Sequence, residues 1–405
     1  MGYRLKMYAF WKFGVKFMPL LFPFYFLKFQ VAEVPFTAVE VLVYILFCAF
    51  LLSGVNVKRV VKEKMFWFAG AFFLAAVIST FIVPASLSKV DGTEVTALID
   101  AMGVLKGWVF MPLLYFVMAY FSIDGERDKK HMLVSFIWSG VILSIWAIYQ
   151  VASGNYVTSD GRASAFYESA NYLALYLGPI CVLSLIMTLE VLRGRAWKKL
   201  VFLMPGFLVL AAMFFTKSYA GMIAVFAGFG FYLMLSKNFT RRFKIAACGL
   251  AILVFAGLAF MQVGTEKFES FFELSERSQS SARLQIWHAS SELISEHPLF
   301  GIGLGQFEIY YQWKMDEIYK LFTYEWLIPH PHNFLMGIWL NFGLLGLISI
   351  IGVILVAVKR VHVGDGLRLM ISALLFSILI HGIFDMPFMK NDLAMEFWFI
   401  IALLL

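Results

Sequence analysis

The run Pro329-His330-Pro331-His332-Asn333 passes without a break into FLMGIWLNFGLLGLISIIGVILVA at 334–357, a stretch that carries no charge. A helix needs about 20 apolar residues to cross the hydrocarbon core of a bilayer, so 333–357 reads as a membrane span that starts at the asparagine. Directly upstream lies a long polar segment, 262–332. It gathers Arg283, the histidines His288, His297, His330 and His332, and a Gly301-Ile302-Gly303-Leu304-Gly305 turn. Nearly everything else reads as lipid-embedded helix. Loops that close over helix ends are where binding and catalytic groups concentrate, so this segment is the first place to look for chemistry.

The composition supports the same class. The chain has 405 residues, of which 61% are hydrophobic and 15% charged, and a soluble domain cannot hide that much apolar surface. The net charge of +7 invites a nucleic-acid reading, yet the basic residues sit in short loops between apolar runs, which is the pattern of membrane topology. Cys48, Cys181 and Cys248 all fall inside apolar runs and lack metal or disulfide spacing. The basic, then apolar, N-terminal stretch lacks an A-x-A cleavage signal and reads as an uncleaved first helix.

The predicted fold is an all-α polytopic transmembrane bundle, a single integral-membrane domain over 1–405. About twelve spans are expected, near 13–30, 37–54, 65–85, 103–122, 132–152, 171–191, 200–216, 219–236, 245–261, 333–357, 369–388 and 392–405. Basic clusters alternate between them: Arg4/Lys6/Lys12, Lys58/Arg59/Lys62/Lys64, Arg127/Lys129/Lys130, Arg193/Arg195/Lys198/Lys199, Lys237/Arg241/Arg242/Lys244 and Lys359/Arg360/Arg368. All belong on one side, which the positive-inside rule makes cytoplasmic. The N-terminus is then cytoplasmic, and 262–332, acidic through Glu266, Glu269, Glu273, Glu276, Glu292 and Glu296, is an extracytoplasmic loop.

That loop is expected to be ordered. Disordered tracts lack aromatics, and this one carries Phe268, Phe271, Phe272, Trp287, Phe307, Tyr310, Tyr311, Trp313 and Trp326. Leu284, Ile286, Trp287, Leu293 and Ile294 predict a short amphipathic helix over 283–296, ended by His297-Pro298, which lies on the membrane surface or caps the bundle. The glycine run faces outward and lacks a preceding strand, so a nucleotide loop is rejected.

His332-Asn333, followed after nine residues by Gly343-x-x-Gly346-Leu347, resembles the histidine motif of the O-antigen ligase and O-antigen polymerase family. Three further stretches are similar to the same family. Gly161-Arg162 through Asn171 resembles its arginine-to-asparagine segment. Arg283-Leu-Gln-Ile-Trp287 with His297-Pro-Leu-Phe-Gly301 resembles its periplasmic loop, and His381-Gly-Ile-Phe-Asp385 closes the series. The resemblance runs over 161–392. One departure stands out: the ligases carry a serine-arginine pair where this chain reads Thr216-Lys217-Ser218-Tyr219, with Tyr219 in the arginine's place and Lys217 nearby. A lysine is a point charge without arginine's fork, so the exchange is not neutral for a pyrophosphate.

The resemblance implies a glycosyltransferase of the bacterial inner membrane and cell envelope. It would move a glycan from an undecaprenyl-pyrophosphate carrier to an acceptor hydroxyl, with inversion and without metal or other cofactor. The acceptor is a lipid A-core in lipopolysaccharide biosynthesis, another lipid-linked glycan, or a protein. His332 suits the base, since imidazole titrates near neutrality. Arg162, Arg283 and Lys217 suit the pyrophosphate, with Arg283 the further catalytic candidate and Tyr219, Asn171, Asn333 and His330 in substrate-binding positions. His330 between its prolines could instead shape the turn. Asp385 is expected to cap a helix or to pair with His381, and Lys106 to point into a cavity expected between spans 4 to 11 beneath the outer loop, while His288 and His297 read as surface residues. The alternative is a transporter or flippase of lipid-linked glycans, for which internal repeats and mid-depth charges would be the signature. Nucleic acid is not an expected partner; the lipid bilayer is.

Overall fold

The computed structural model describes residues 2–31, 34–158, 160–193, 203–260, 279–319 and 328–405. Glu266, Phe268, Glu269, Phe271, Phe272, Glu273 and Glu276, together with Trp326, Arg195, Lys198 and Lys199, lie outside the described residues.

The chain opens with helix α1, Gly2–Phe17. The span expected over 13–30 does not form. Pro19 and Pro23 instead start two 3-10 turns, Met18–Leu20 and Phe22–Phe26, because a proline can neither donate to the helix ladder nor fit beneath the preceding carbonyl. A small antiparallel hairpin follows, β1 (Lys28–Val31) with β2 (Val34–Thr37), in the register Lys28 to Thr37. Thr37 and Glu40 form a reciprocal capping box that starts α2, Ala38–Leu52. Next come α3 (Lys64–Phe81), a second hairpin of β3 (Leu87–Ser88) and β4 (Glu94–Val95), α4 (Ala97–Ser122) and α5 (Glu126–Ser153). Within α4, Leu105–Phe110 is π-helical, and an added Cβ at Gly107 would meet the Asn391 side chain at 2.9 Å.

The second half contains α6 (Ala170–Arg193), α7 (Leu203–Phe215), α8 (Tyr219–Leu235) and α9 (Arg241–Phe260). Two helices of the long loop follow, α10 (Gln279–Glu296) and α11 (Phe307–Tyr319). The bundle then completes with α12 (Phe334–Val358), α13 (Gly366–His381) and α14 (Asn391–Leu404). The span expected over 369–388 ends at His381, because 382–390 is a turn. The helical fold is as expected, with α3, α4, α5, α6 and α12 long and apolar enough to cross a membrane and α2, α7, α8 and α13 apolar but shorter. Side chains such as Trp67, Phe81, Phe207, Leu253 and Leu355 are more than half exposed on helix faces, the surface expected of a multi-pass membrane protein.

The main packing pairs are α3 with α12, α8 with α13, α4 with α14, and α5 with α7. Helix α14 differs from the rest, since every residue from Asp392 to Leu404 is buried. A helix covered all round is a core element, so the expected last span lies inside the bundle.

The long loop is held against α12. Helix α10 already includes Gln279, one turn before the expected start, so Arg283 lies in the helix body and not at its start. Ile286, Ala289 and Leu293 of α10 pack with Ile302, Phe307, Tyr311, Met315 and Leu340 in a core of their own. The glycine run docks onto a break in α12, where Gly343 takes φ 66° and ψ −171°. Ile302 N–H donates to the Leu340 carbonyl at 2.8 Å, Leu344 N–H to Leu299 at 3.0 Å, and Gly305 N–H to Asn341 Oδ1 at 2.8 Å. Gly301, Gly303 and Gly305 all have positive φ, 70°, 97° and 78°, and an added Cβ at Gly301 would drive into the Leu340 carbonyl. These glycines exist for close approach of two backbones. Gly301→Val is expected to lower stability by roughly 2–4 kcal/mol, read as a drop in thermal midpoint in detergent, whereas Leu299→Ala, at a position 60% exposed, should barely move it.

Candidate active site

The turn before α12 is built by its own sequence. His332 takes φ 49°, a left-handed conformation that costs a non-glycine residue free energy unless its surroundings enforce it. Here they do. The His332 N–H donates to His330 Nδ1 at 3.4 Å, Asn333 caps α12 through the Met336 N–H, and the Asn333 amide donates to the Ile383 carbonyl at 3.2 Å. Phe334 N–H donates to the Gly382 carbonyl at 2.7 Å. The turn 329–333 is thereby clamped to the turn that follows α13.

The clamp brings three ionisable side chains together. Asp385 Oδ1 lies 3.1 Å from His332 Nδ1 and 3.8 Å from His330 Nε2, and it accepts the Met386 N–H at 2.9 Å. An ionised carboxylate only accepts, so His332 Nδ1 carries the proton and Nε2 keeps a lone pair. Asp385 and His330 are buried, whereas the His332 side chain is 19% exposed. Burial alone would raise the Asp385 carboxyl, but the field and hydrogen bond of the His332 imidazole, with His330 and His381 behind it, outweigh burial and hold it below the ordinary carboxylate range. Burial, with His332 alongside, pushes His330 down to about 3. His330 is therefore a neutral, shape-giving residue. The expected pairing of Asp385 with His381 is corrected: the carboxylate goes to His332, and the link to His381 is the Asp385 N–H on the His381 carbonyl at 3.0 Å.

Beside this cluster stands Arg162. Its Nε donates to the Thr216 carbonyl at 2.7 Å, Nη2 to Asn171 Oδ1 at 2.8 Å, and Nη1 lies 3.4 Å from Asp160. The arginine and asparagine of the 161–171 stretch thus meet directly. Burial pulls the guanidinium down from its ordinary value and Asp160 opposes it, and an arginine stays charged throughout. Arg283 and Asp385 are both close enough to act on Arg162 through their fields, and Arg162 acts likewise on Tyr219. Among the described residues no hydrogen bond or ion pair to Arg283 is formed. Lys217 is exposed, in the turn before α8, with φ 50°. His381 is buried, with Nε2 unpaired among the described residues, against Gly178 and Gly221.

Other expected positions fall elsewhere. Lys106 does not join the histidines: its ammonium bonds the Pro35 carbonyl, lies 3.3 Å from the buried Glu40 and stands 4.2 Å over the Phe36 ring. His288 is exposed beside Glu292, and His297 stacks edge-on against Tyr310. The sequence did not point to Tyr172, whose ring lies 5.8 Å from that of His330, nor to Lys390, 4.2 Å over the same Tyr172 ring. Their signal was position alone: Tyr172 follows Asn171, and Lys390 sits in the turn with Asp385. His330, His332 and Asp385 also offer three ligand atoms within 4.8 Å of one another, the one group among the described residues able to hold a metal ion.

The shift of His330 sets a pH dependence. Its folded value of about 3 lies below the ordinary 6.5, so the unfolded chain takes up the proton first. The stabilisation from neutral His330 is complete above pH about 6.5 and is lost as pH falls towards about 3. Thermal midpoints measured between pH 7 and pH 4 should fall more steeply for the unmodified protein than for His330→Gln; equal slopes would contradict this assignment.

No curated protein matches the chain. Residues 204–351, which carry Lys217, Tyr219, Arg283, His330, His332 and Asn333, match the family model described as O-antigen ligase.

Proposed function

We propose that the protein transfers a glycan from a polyprenyl-diphosphate carrier, undecaprenyl pyrophosphate, to an acceptor hydroxyl at the outer face of a bacterial plasma membrane. The observation that carries this reading is the 3.1 Å contact between His332 Nδ1 and Asp385. It fixes the tautomer that leaves Nε2 as a base, on the one member of the cluster that is partly open.

The chemistry follows from the residues. His332 Nε2 takes the proton of the acceptor hydroxyl as its oxygen attacks the anomeric carbon from the face opposite the diphosphate. The bond from that carbon to the diphosphate oxygen breaks, and the lipid diphosphate leaves with both electrons. Asp385 stabilises the imidazolium as it forms, as a carboxylate does behind a catalytic histidine. Charge develops on the leaving diphosphate, where Arg283, Arg162 and Lys217 supply fixed positive charge in a partly dry site. Arg162 is committed to Thr216, Asn171 and Asp160, so Arg283 is the freer of the two arginines to meet substrate. Asn333 and His330 hold the turn, and Asn171 and Tyr219 position or accompany Arg162.

The charge pattern of the loops supports an orientation with this end of the bundle outside and the N-terminus in the cytoplasm. The domain is then a single membrane unit over 1–405, with 262–332 as its extracytoplasmic loop. A lipid A-core sugar, the end of a second lipid-linked glycan and a protein side chain all present the hydroxyl that this chemistry needs.

The test is transfer of a labelled glycan from undecaprenyl pyrophosphate by purified protein, offered each of the three acceptors in turn, with and without EDTA. His332→Ala is expected to lose about 10²–10⁴-fold in turnover, and Asp385→Asn to lose a large part of that while still binding donor. Activity should be indifferent to the chelator. Turnover that EDTA abolishes would instead make His330, His332 and Asp385 metal ligands, and a His332→Ala enzyme with full activity would refute the base assignment.

A further inference from the structure

The first turn of α6 carries two consecutive residues that hold two different cations. Asn171 accepts from Arg162 at 2.8 Å, and Tyr172 presents its ring to Lys390 Nζ at 4.2 Å. Successive helical residues point about 100° apart, so the two cations flank the turn from different directions. The Tyr172 ring also meets His330, at 5.8 Å, and His330 in turn stacks edge-on against His332 at 4.4 Å. Lys390 is therefore tied to the histidine turn through a single aromatic ring.

The ammonium of Lys390 is held but not neutralised. Its contacts with the Tyr25 hydroxyl and with Glu168 are both 3.5 Å, at the outer limit for hydrogen bonding. The Glu168 side chain is 81% exposed and that of Lys390 13%. An exposed carboxylate at that distance is largely screened by solvent, whereas a cation that is mostly dry keeps a strong field. Asp392, the nearest carboxyl in sequence, is engaged by the Tyr167 hydroxyl. Lys390 is also the N-cap residue immediately before α14, where no side chain caps the helix, so the positive end of that helix adds to the same region.

We infer that Lys390 is a further diphosphate-binding residue, reaching the donor's diphosphate from the α14 side of the histidine turn while the arginines reach it from the other. This rests on the glycosyl-transfer reading above for the identity of the donor, though not for the anion site itself. The chemistry it would recognise is a diphosphate group, whether on a lipid carrier or free.

The experiment measures binding of inorganic pyrophosphate by calorimetry, and donor KM and kcat by the transfer assay, for the full-length protein and three variants. Lys390→Met is expected to weaken pyrophosphate about ten-fold and to raise donor KM by a similar factor, with kcat changed much less. Lys390→Arg should retain most of the affinity. Glu168→Gln, at an exposed position, should tighten pyrophosphate two- to three-fold by removing the competing carboxylate, roughly what one screened ion pair contributes. Unchanged pyrophosphate affinity in both Lys390→Met and Glu168→Gln overturns the proposal. If Lys390→Met does not fold, Glu168→Gln alone decides, since its expected change has the opposite sign. Pyrophosphate binding that depends on Lys390 in a protein that transfers no glycan would sustain the anion site and refute the transferase.

Discussion

A broken helix inside an apolar environment sets the terms for much of this structure. At Gly343 the backbone of α12 leaves helical geometry, which frees carbonyl and N–H groups that lipid cannot satisfy. Several of the nearby groups find a specific partner. The Leu340 carbonyl takes Ile302, the Asn341 carbonyl takes the Ser79 hydroxyl, and the Leu344 N–H reaches Leu299. The Asn341 side chain bridges Gly305 and the Gly337 carbonyl. The described part of the long polar loop is thus fastened at mid-helix, through Leu299, Ile302 and Gly305.

The same turn gains from the direction in which the helices run. Helices α6, α8, α12 and α14 all begin beside it, near Asn171, Ser218, Asn333 and Lys390 respectively. Their aligned backbone dipoles add partial positive charge at those ends, on top of Arg162, Arg283, Lys217 and Lys390. Asp385 is the counterweight: a buried carboxylate that draws the two histidines in and sets the hydrogen position on one of them. The region is therefore suited to an anion as a whole, while a single imidazole nitrogen within it is suited to a proton.

Much of this was legible in the sequence because apolar run length is a strong physical constraint. The runs at 64–81, 126–153 and 334–358 appear as helices near their expected places. His332, Asn333, Arg162 and Asn171 were identifiable because their spacing resembles a family pattern, and the structure brings His332 to Asp385, ties Asn333 to Ile383, and joins Arg162 to Asn171 directly. What failed was local or long-range. Two prolines within an apolar run, Pro19 and Pro23, were enough to turn a predicted span into 3-10 turns. Lys106 looked like a site residue because its partner, Glu40, is far away in sequence and nothing marks it as buried. Lys390 was passed over for the opposite reason, since a lysine at a helix start is ordinary until the ring beneath it is seen. The role of the glycine run as a docking surface was invisible, because the close approach involves Leu340, more than thirty residues downstream.

The burial of α14 carries a consequence for how the protein is made. The helix is short and carries Asp392 and Glu396 one turn apart, both buried, and each such residue costs a few kcal/mol in a lone helix within lipid. A segment of that kind partitions poorly into the bilayer unaided. Its walls, α4 and α6 among them, are synthesised earlier, so it enters a cavity whose sides already stand. Assembly of the bundle is then sequential, with a late step in which a poorly membrane-soluble helix is received by its neighbours. The residues that begin that helix belong to the candidate site, which therefore takes its final form only when the interior has closed.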